Sequence, residues 1–265
     1  MTLQQMIDES KRIVFFGGAG VSTESGIKDF RSQDGLDHMQ YDYPPEEILS
    51  HTFFVHQPEE FFRFYRDKLI NGLTPADYEA GRGIEPNPAH LKLAELEQAG
   101  KLSAVITQNI DGLHQRAGSR KVLELHGSVM RNYCPRCGMF YGVEAMTDPE
   151  LLDDKGIPRC RNCRKKGENF ADGLGRGPII KPDVVLYEEG LDEHILYESV
   201  HELEQADMLI VGGTTLNVYP AAGLLRYFSG RYLVLINKQP TQADRSADLV
   251  IREPIGEVLS KIQVS

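Results

Sequence analysis

Residues 12–22 read Arg-Ile-Val-Phe-Phe-Gly-Gly-Ala-Gly-Val-Ser, a short apolar run that passes directly into a glycine-rich turn. The run is continuously apolar and does not alternate, which is typical of a strand in a parallel sheet with both faces covered. Glycines after such a strand let the backbone turn tightly. The segment therefore predicts an α/β sheet with a binding loop after its first strand.

Five further apolar runs have the same character, at Ala104–Thr107, Val122–Leu125, Met208–Val211, Tyr232–Ile236 and Asp248–Ile251. Helical patterns lie between several of them. Thr2 is a candidate N-cap, Asn87-Pro88 has the pattern of a cap followed by proline at the first helical position, and Gly100 is a plausible helix stop. A helix with Ile195, Leu196, Val200 and Leu203 on one face is also expected. These patterns predict an α/β fold with a doubly wound parallel sheet.

Two stretches do not fit this sheet, residues 34–83 and residues 128–177. The first predicts turns and helices, with Phe61, Phe62, Tyr65 and Leu69 on one side of a helix that begins at Pro58. The second is rich in glycine, proline, charged residues and cysteine. We expect the two to form a smaller second domain, and residues 1–33, 84–127 and 178–265 to form the larger one.

The composition is that of an ordinary globular protein. The 265 residues are 41% hydrophobic and 26% charged, with a formal net charge of −10. A nucleic-acid-binding protein would normally carry a basic face, so we expect no nucleic-acid partner. No apolar run approaches the length of a membrane span, and the N-terminus lacks the pattern of a signal peptide. We therefore expect no membrane association and a cytoplasmic location.

All four cysteines fall in two pairs, Cys134–Cys137 and Cys160–Cys163, each with two residues between its members. Two such Cys-x-x-Cys pairs can together close one tetrahedral metal site. Four protein sulfurs leave no open position for a catalytic water. The pattern thus predicts one structural zinc ion, with Cys134, Cys137, Cys160 and Cys163 as its ligands.

Glycines, amides, hydroxyls, a carboxylate and an imidazole follow the predicted strands. The segments concerned are Gly18–Gly20, Thr107–Asp111, His126-Gly127, Gly212–Thr215 and Asn237-Lys238. Ligands of parallel sheets bind beyond the carboxyl ends of the strands, so these groups are expected to meet in one crevice. Turns also favour Gly, Asn, Asp and Thr, which explains any one segment but poorly explains all five.

The glycine loop alone is a weak signal. A dinucleotide fingerprint that starts at Gly18 would have glycine or alanine at position 23, where Thr23 stands, and no second strand ending in an acidic residue follows. A hydride-transferring Rossmann enzyme is therefore disfavoured. The backbone N–H groups of residues 19–23 could still hold a pyrophosphate at a helix start.

The order of these motifs resembles the sirtuin family of NAD-dependent protein deacylases. The resemblance lies in Gly18–Ser22, Gly26–Ser32, Gln108–Asp111, His126-Gly127, the four cysteines, Lys181–Tyr187, Gly213–Thr215 and Asn237, and it covers nearly the whole chain. It implies a large Rossmann-like domain with a smaller inserted domain that contains a zinc ribbon and a helical module. It also implies NAD between the two domains and an acyl-lysine peptide or protein as the partner.

The resemblance implies a role for individual residues. Cofactor-binding residues would be Ala19, Thr23, Phe30, Arg31, Gln108, Asn109, Ile110, Asp111, His126, Thr214, Thr215 and Asn237. Phe30, Ile110 and Asp111 would surround nicotinamide, Asn109 would orient the ribose, and Thr214, Thr215 and Asn237 would meet the adenosine half. The substrate backbone would pair with Val184, Val185, Leu186 and Tyr187 and with Asn217, Val218 and Tyr219, as an added strand.

His126 and Asn109 are the candidate catalytic residues. His126 is the only histidine at a strand end in the expected crevice, and its unperturbed pKa near 6.5 suits a general base that acts on a ribose hydroxyl. The alternative for His126 is a purely structural bond to a backbone carbonyl. No role is assigned to the seven other histidines.

The chain departs from the family pattern in several places. Lys28 replaces the usual proline, which should loosen its loop, Thr215 replaces a commoner serine, and residues 164–178 include a glycine-rich, charged insertion. Members that prefer succinyl or malonyl groups place tyrosine and arginine where this chain has Phe62 and Tyr65. We therefore expect neutral acyl groups, acetyl first, unless Arg63 or Arg66 turns inward.

The expected reaction is NAD-dependent deacylation of lysine, with nicotinamide, O-acyl-ADP-ribose and the free lysine as products. One alternative is a protein ADP-ribosyltransferase on the same fold, in which a protein side chain captures the ribose carbon. Another is a non-enzymatic, zinc-stabilised NAD-sensing module.

Overall fold

The computed structural model describes residues 1–29, 42–165 and 177–264, and the chain falls into two units. Unit 1 comprises Met1–Gly35, Glu85–His126 and Leu191–Ser265, and unit 2 comprises Leu36–Ile84 and Gly127–Gly190. The strands are β1 Ile13–Gly17, β2 Leu102–Thr107, β3 Val122–Glu124, β4 Gly127–Tyr133, β5 Phe140–Tyr141, β6 Lys181–Val184, β7 Met208–Gly212, β8 Tyr232–Ile236 and β9 Leu249–Ile251.

The α-helices are short apart from two. They are α1 Leu3–Glu9, α2 Pro45–Ile48, α3 His51–His56, α4 Pro58–Phe64, α5 Pro75–Glu79, α6 Pro88–Gln98, α7 Leu113–Arg116, α8 Arg161–Lys165, α9 Glu193–Gln205 and α10 Ile255–Ser260. Turns of 3₁₀ helix occur at Ala19–Val21, Thr23–Ser25, Val143–Met146 and Ala221–Tyr227, and a π-helical turn spans Tyr65–Leu69. Within the described residues, none of the helices has the length and apolar character needed to cross a bilayer.

Unit 1 contains a six-stranded sheet in the order β3-β2-β1-β7-β8-β9, and every neighbouring pair is parallel. The six apolar runs of the sequence form these six strands, so the predicted doubly wound sheet is confirmed. The chain moves outward in one direction from β1 to β3 and in the other from β7 to β9. The reversal lies between β1 and β7, where sheets of this type bind their ligands.

Both faces of the sheet are covered, as the continuous apolarity of the strands predicts. Ile13 and Phe15 of β1 belong to a core cluster with residues of α1, α6 and α10. Val14 and Phe16 point to the opposite face and pack in a second cluster with residues of α9 and the turn at Ala221–Tyr227. Residues of one strand alternate between the two clusters because successive side chains of a strand point to opposite faces.

The predicted helix ends are confirmed. Thr2 caps α1 in a reciprocal capping box with Gln5, and Asn87 caps α6 with Pro88 at the first helical position. Gly100 follows the end of α6 with a left-handed φ of 73°, a conformation that glycine adopts without a steric penalty. Asp192 caps α9, the helix that carries Leu203 into the core.

Unit 2 contains a three-stranded antiparallel sheet in the order β5-β4-β6, with helices α2–α5. Helix α4 begins at Pro58 as predicted, and Phe61, Phe62 and Tyr65 are fully buried. Their rings contact each other at centroid distances of 5.1 to 6.3 Å. The aromatic stripe is therefore the core of the helical part of this unit.

One predicted boundary differs from the structure. Residues 178–190 were expected in the larger domain, but the structure assigns Gly127–Gly190 to unit 2. The reason is the pairing of β6, which lies antiparallel to β4 and forms an edge of the small sheet. The pairing of Lys181–Val184 with β4 is not visible in the sequence, because it joins residues that lie far apart along the chain.

Glu202 on α9 provides a test of how charge stabilises unit 1. Its buried carboxylate lies 2.6 Å from Lys121 Nζ and 3.0 Å from an Arg12 guanidinium nitrogen. Burial alone would raise the pKa of Glu202, but Lys121, Ser103 and Arg12 outweigh burial and lower the pKa. We expect Glu202→Gln to lower the free energy of unfolding, measured by urea denaturation at pH 7, by about 2 kcal/mol.

Glu198→Gln is the matched control, because Glu198 is on the same helix, is more exposed and lies 3.9 Å from Lys121 Nζ. It should cost less than about 0.5 kcal/mol. A carboxylate whose pKa is lowered by folding stabilises the protein above its unfolded pKa, and loses this effect as the pH falls. The difference between wild type and Glu202→Gln should therefore shrink below about pH 4.3. Equal effects of both variants at pH 7 would contradict this role of Glu202.

Candidate functional site

The loops after β1 and β7 touch through their backbones at the carboxyl edge of the sheet. The Gly20 N–H donates to the Gly213 carbonyl at 2.8 Å, and a Cβ on Gly20 would lie only 2.8 Å from the Gly213 Cα. Gly213 has a φ of 60°, and a Cβ there would meet the Val21 nitrogen at 2.4 Å. Side chains are excluded from this contact on both sides, so the glycines of both segments are required.

The glycine loop does not lead into an α-helix, contrary to the expected helix start. It forms two 3₁₀ turns, Ala19–Val21 and Thr23–Ser25. The N–H groups of Gly20, Val21 and Ser22 bond to carbonyls within unit 1 at 2.8–3.0 Å. Three of the five N–H groups expected to hold a pyrophosphate therefore already have hydrogen-bond partners. Fewer N–H groups than predicted are available to a pyrophosphate.

Gln108 connects the end of β2 to the end of β1 and to the segment that follows β7. Its backbone N–H donates to the Gly17 carbonyl at 3.0 Å, and its side-chain Nε2 donates to Thr214 Oγ1 at 3.1 Å. Thr214 Oγ1 also accepts from the Leu216 N–H at 3.2 Å. The predicted residues Gln108 and Thr214 therefore lie side by side, although 106 positions separate them in sequence.

A buried polar network joins the segments after β1 and β2. Ser22 Oγ donates to Asp111 Oδ2 at 2.7 Å and accepts from Asn109 Nδ2 at 3.0 Å. Asp111 Oδ1 accepts from the Leu113 N–H at 2.9 Å. Burial raises the pKa of Asp111 although Ser22 and Leu113 act against the rise. A carboxyl group held in this way is well suited to bind a polar amide.

Ser22 and His90 also belong to this network, although no role was predicted for either residue from the sequence. His90 Nδ1 accepts from the Asn87 N–H at 3.2 Å, which leaves the proton on Nε2, 3.4 Å from Ser22 Oγ. Burial lowers the pKa of His90 to about 4, so the ring is neutral near pH 7. A signal existed in the sequence: His90 is the third residue of α6, where a side chain can reach back to the cap.

A hydrogen bond to a backbone carbonyl sets the tautomer of His126. Its Nδ1 lies 3.0 Å from the Gln108 carbonyl oxygen. A carbonyl oxygen can only accept, so the proton is on Nδ1 and the lone pair is on Nε2. Burial lowers the pKa of His126, although the Gln108 carbonyl acts in the opposite direction. The imidazole is therefore neutral at pH 7 and presents a basic nitrogen.

The remaining predicted cofactor residues differ in how far the structure describes them. Ala19, Thr23, Ile110, Thr215 and Asn237 are partly exposed. Thr23 Oγ1 donates to the Gly20 carbonyl at 3.0 Å, and Asn237 Nδ2 donates to the Gln239 carbonyl at 2.8 Å. Phe30 and Arg31, the loop that follows Lys28 and most of the 164–178 insertion lie outside the described residues.

The two predicted substrate segments differ in structure. Val184 ends β6, which is an edge strand of the small sheet. Tyr187 already has backbone partners, since its N–H donates to the Leu49 carbonyl and its carbonyl accepts from the His51 N–H, both at 3.0 Å. Asn217 and Tyr219 are exposed and Val218 is half-buried, in a part of unit 1 without strand structure.

The four cysteine sulfurs of unit 2 converge. All lie within 4.8 Å of one another, with distances of 3.9 Å for Cys134–Cys163 and 3.6 Å for Cys137–Cys160. Four sulfurs at about 2.3 Å around one tetrahedral zinc are separated by about 3.8 Å. The arrangement therefore fits the predicted zinc ion.

Hydrogen-bond donors surround this cluster, and one of them favours the thiolate of Cys137. Asn162 Nδ2 donates to Cys137 Sγ at 3.4 Å, and this contact is the main cause that lowers the pKa of Cys137 to about 6. The Tyr141 hydroxyl donates to Cys160 Sγ at 3.2 Å. Burial instead raises the pKa values of Cys134 and Cys163. A dication among the sulfurs would supply the countercharge that these two thiolates need.

Comparison with known proteins agrees with the resemblance in the motifs. A family model described as Sir2 family matches residues 18–220. The NAD-dependent protein deacetylase of Clostridium perfringens is 52% identical over 263 residues, which cover 98% of this chain and 96% of the relative. NAD-dependent protein deacylase 2 of Archaeoglobus fulgidus is 42% identical over 266 residues, covering 97% and 92%.

Solved structures agree over the same length. A complex of Sir2, p53 peptide and NAD⁺ has 36% identity and a TM-score of 0.79, covering 98% of this chain and 96% of its own. A Sir2 protein bound to a propionylated peptide has 36% identity and a TM-score of 0.77, covering 96% and 93%.

The cysteine cluster predicts a measurable metal content. Protein purified from zinc-supplemented cells should contain about one zinc ion per chain by mass spectrometry, and Cys163→Ser should lose most of it. Removal with a strong chelator should increase amide hydrogen exchange in Gly127–Gly190, because the sulfurs join two separate segments of unit 2. Restoring zinc should restore protection. A wild type with little zinc under these conditions would contradict the assignment.

Proposed function

This chain belongs to the Sir2 family, the sirtuins, and from that premise we propose that it is an NAD-dependent protein lysine deacetylase. The products would be nicotinamide, O-acetyl-ADP-ribose and the deacetylated lysine. Relatives that match nearly the whole chain bear the name NAD-dependent protein deacetylase. The cofactor would be NAD, consumed as a co-substrate, and the partner would be a peptide or protein that carries an acyl-lysine.

The observation that carries the proposal is the state of His126. Its Nδ1–H is bound to the Gln108 carbonyl, and its Nε2 lone pair is left to accept a proton. A neutral imidazole with one nitrogen fixed and the other basic is suited to deprotonate a ribose hydroxyl. The structural role considered for His126, a bond to a backbone carbonyl, thus supports the catalytic one by setting the tautomer.

The buried network provides the rigid surroundings that such a reaction needs. Bound NAD supplies an electrophilic ribose carbon and nicotinamide as the leaving group. We propose that Asn109 orients the ribose, since Ser22 fixes its side-chain amide at 3.0 Å. Asp111, fixed by Ser22 at 2.7 Å, would bind the carboxamide of nicotinamide, with Ile110 and Phe30 to exclude water. Groups held in advance lose little freedom when the substrates bind.

The other cofactor residues are assigned by their position at the sheet edge. Gln108, Ala19 and Thr23 would bind the central part of NAD, together with Arg31. Thr214, Thr215 and Asn237 would bind the adenosine half. Gln108 and Thr214 are bonded to each other, which supports a common role in the same part of the cofactor site.

The acyl-lysine peptide would add a strand to the open edge of β6. An edge strand presents unpaired backbone groups that an extended peptide can use. The backbone groups of Tyr187 are bonded to the Leu49–His51 segment, and those of Leu186 are bonded to Glu189. We therefore place the backbone pairing at Val184 and Val185 and give Leu186 and Tyr187 side-chain roles. Asn217, Val218 and Tyr219 would contact the peptide from their own segment.

The zinc ion would be structural and the chain cytoplasmic. Four sulfur ligands leave no position for a water or a substrate, so the ion can brace unit 2 but cannot act on the acyl group. Thiols with metal-type spacing suit a reducing compartment.

The residues of α4 favour a neutral acyl group. Phe62 and Tyr65 are fully buried and bring no positive charge. Arg66 donates to the Gly156 carbonyl at 2.8 Å, and the exposed Arg63 pairs with Glu60. Neither arginine is therefore directed to a buried carboxylate, and burying a carboxylate without a partner is costly.

His126→Ala should lower kcat/KM for an acetylated peptide by about 10²–10⁴-fold, because the ribose hydroxyl loses its base. Nicotinamide and O-acetyl-ADP-ribose should be measured by mass spectrometry. His194→Ala, a change of an exposed histidine on α9, should stay within roughly twofold. A wild type that transfers labelled ADP-ribose to protein and deacetylates nothing would favour the transferase alternative instead.

The pH profile of the wild type should report the environment of His126. Because burial lowers its pKa below the usual value, the neutral form persists to lower pH than for an ordinary histidine. The acid limb of kcat/KM should therefore lie below about pH 6.5. An acid limb above that pH would contradict the assignment of His126 as a buried, neutral base.

Acetyl-lysine should be preferred to succinyl-lysine by at least about tenfold in kcat/KM, because Arg63 and Arg66 already bind other groups and burying the succinyl carboxylate without a partner is costly. A butyryl peptide, similar in length but neutral, separates charge from size and should react faster than the succinyl peptide. Equal rates for the succinyl and butyryl peptides would contradict the neutral preference.

A further inference from the structure

Two adjacent glutamates follow the proposed peptide-binding segment. Glu189 receives three donors: the Leu186 N–H at 2.9 Å and Lys181 Nζ at 3.1 Å on Oε2, and His51 Nδ1 at 2.8 Å on Oε1. Since a carboxylate only accepts, His51 holds its proton on Nδ1. One carboxylate thus connects the backbone of the segment, the start of β6 and the first residue of α3.

Glu188 makes a second connection to the same helix. Its Oε2 accepts from the Thr52 N–H at 2.9 Å and from the Thr52 hydroxyl at 2.7 Å. Its φ is 77°, in the left-handed region that residues with a side chain seldom occupy. The bonds to Thr52 compensate for this backbone conformation.

The backbone of Tyr187 completes the connection. Tyr187 forms an isolated parallel bridge with Ser50, through bonds to the Leu49 carbonyl and the His51 N–H. Three consecutive residues, Tyr187, Glu188 and Glu189, are therefore attached to the beginning of α3. We refer to the contacts of Glu188 and Glu189 with residues 51 and 52 as the glutamate clamp.

Both carboxylates are held in their charged form. Burial acts to raise the pKa of Glu189, but His51, the Leu186 N–H and Lys181 outweigh it and lower the pKa. The Thr52 hydroxyl is the main cause that lowers the pKa of Glu188. Hydrogen bonds to an ionised acceptor are stronger than neutral ones, which suits a contact that has to fix a backbone.

We infer that Glu188 and Glu189 are positioning residues, which use the glutamate clamp to hold Val184–Tyr187 in the conformation that receives the acyl-lysine peptide. The inference rests on the proposed function. A peptide that adds a strand gains its backbone bonds only if the edge is already extended. If the segment must be ordered at the moment of binding, that entropy cost reduces the affinity. The residues proposed to bind NAD lie elsewhere in the sequence, so their affinity should not depend on the clamp.

The test compares the KM for the acetylated peptide with the KM for NAD in three variants. Glu189→Ala removes all three bonds and should raise the peptide KM about tenfold, and Glu189→Gln, which keeps one neutral acceptor, should have a smaller effect. Glu188→Gly is compatible with the left-handed backbone at this position but removes both hydrogen bonds to Thr52. It should also raise the peptide KM. The KM for NAD and kcat should stay within about twofold of wild type.

Glu59→Gln is the matched control, because Glu59 forms an exposed ion pair with Lys155 in the same unit but does not contact the segment. Hydrogen exchange at Leu186 and Tyr187, measured without substrate, reports the clamp directly and should become faster in the Glu189 variants. Zinc content should remain at the wild-type level in every variant, which separates a positioning effect from loss of fold.

The outcomes distinguish the inference from the proposed function. If the wild type turns over no acyl peptide, the proposed function is overturned and the inference with it. If the wild type is active and the variants keep its peptide KM, only the inference is overturned. Equal increases in the KM for peptide and for NAD would also overturn it, since they indicate a general structural defect.

Discussion

The backbone contact between Gly20 and Gly213 is the constraint on which the rest of unit 1 depends. A parallel sheet whose strand order reverses between β1 and β7 has a gap where the two chain directions separate. The loops from these strands can meet across it only if neither carries a Cβ, as the 2.8 Å bond between Gly20 and Gly213 requires. Because this contact fixes the loop after β1, it also fixes Ser22, the centre of the polar network.

The network fixes the orientation of polar side chains that follow the strands of the sheet. Ser22 donates to Asp111 and accepts from Asn109, so both functional groups have one orientation before a ligand arrives. His126 is set in the same way by the Gln108 carbonyl. In each case a short-range hydrogen bond fixes a side chain whose strand is already fixed by burial. The site owes its precision to rigid strands and not to the loops themselves.

Much of unit 1 could be predicted because the interactions that define its strands and helix ends act between residues close together in the sequence. Continuous apolar runs define buried strands, and Thr2 and Asn87 mark helix starts, because each of these signals acts within a few residues. The sequence did not show that Lys181–Val184 pair with β4, because pairing joins positions far apart. The role of His90 was missed for the same reason, since its partner Ser22 lies 68 positions away. The two 3₁₀ turns after β1 depend on contacts with Gly213 and were not visible either.

Unit 2 is stabilised by different interactions, and its structure is therefore harder to predict from apolar sequence patterns. Its sheet has only three strands, so apolar burial between strands contributes less than in unit 1. Sulfur ligands and charged side chains supply the missing constraints: the cysteines join β4 and β5 to α8, and Glu188 and Glu189 join the end of β6 to α3. Such links act at single points, so they hold particular segments without forming a continuous core. These links place the segment that follows β6 against the start of α3.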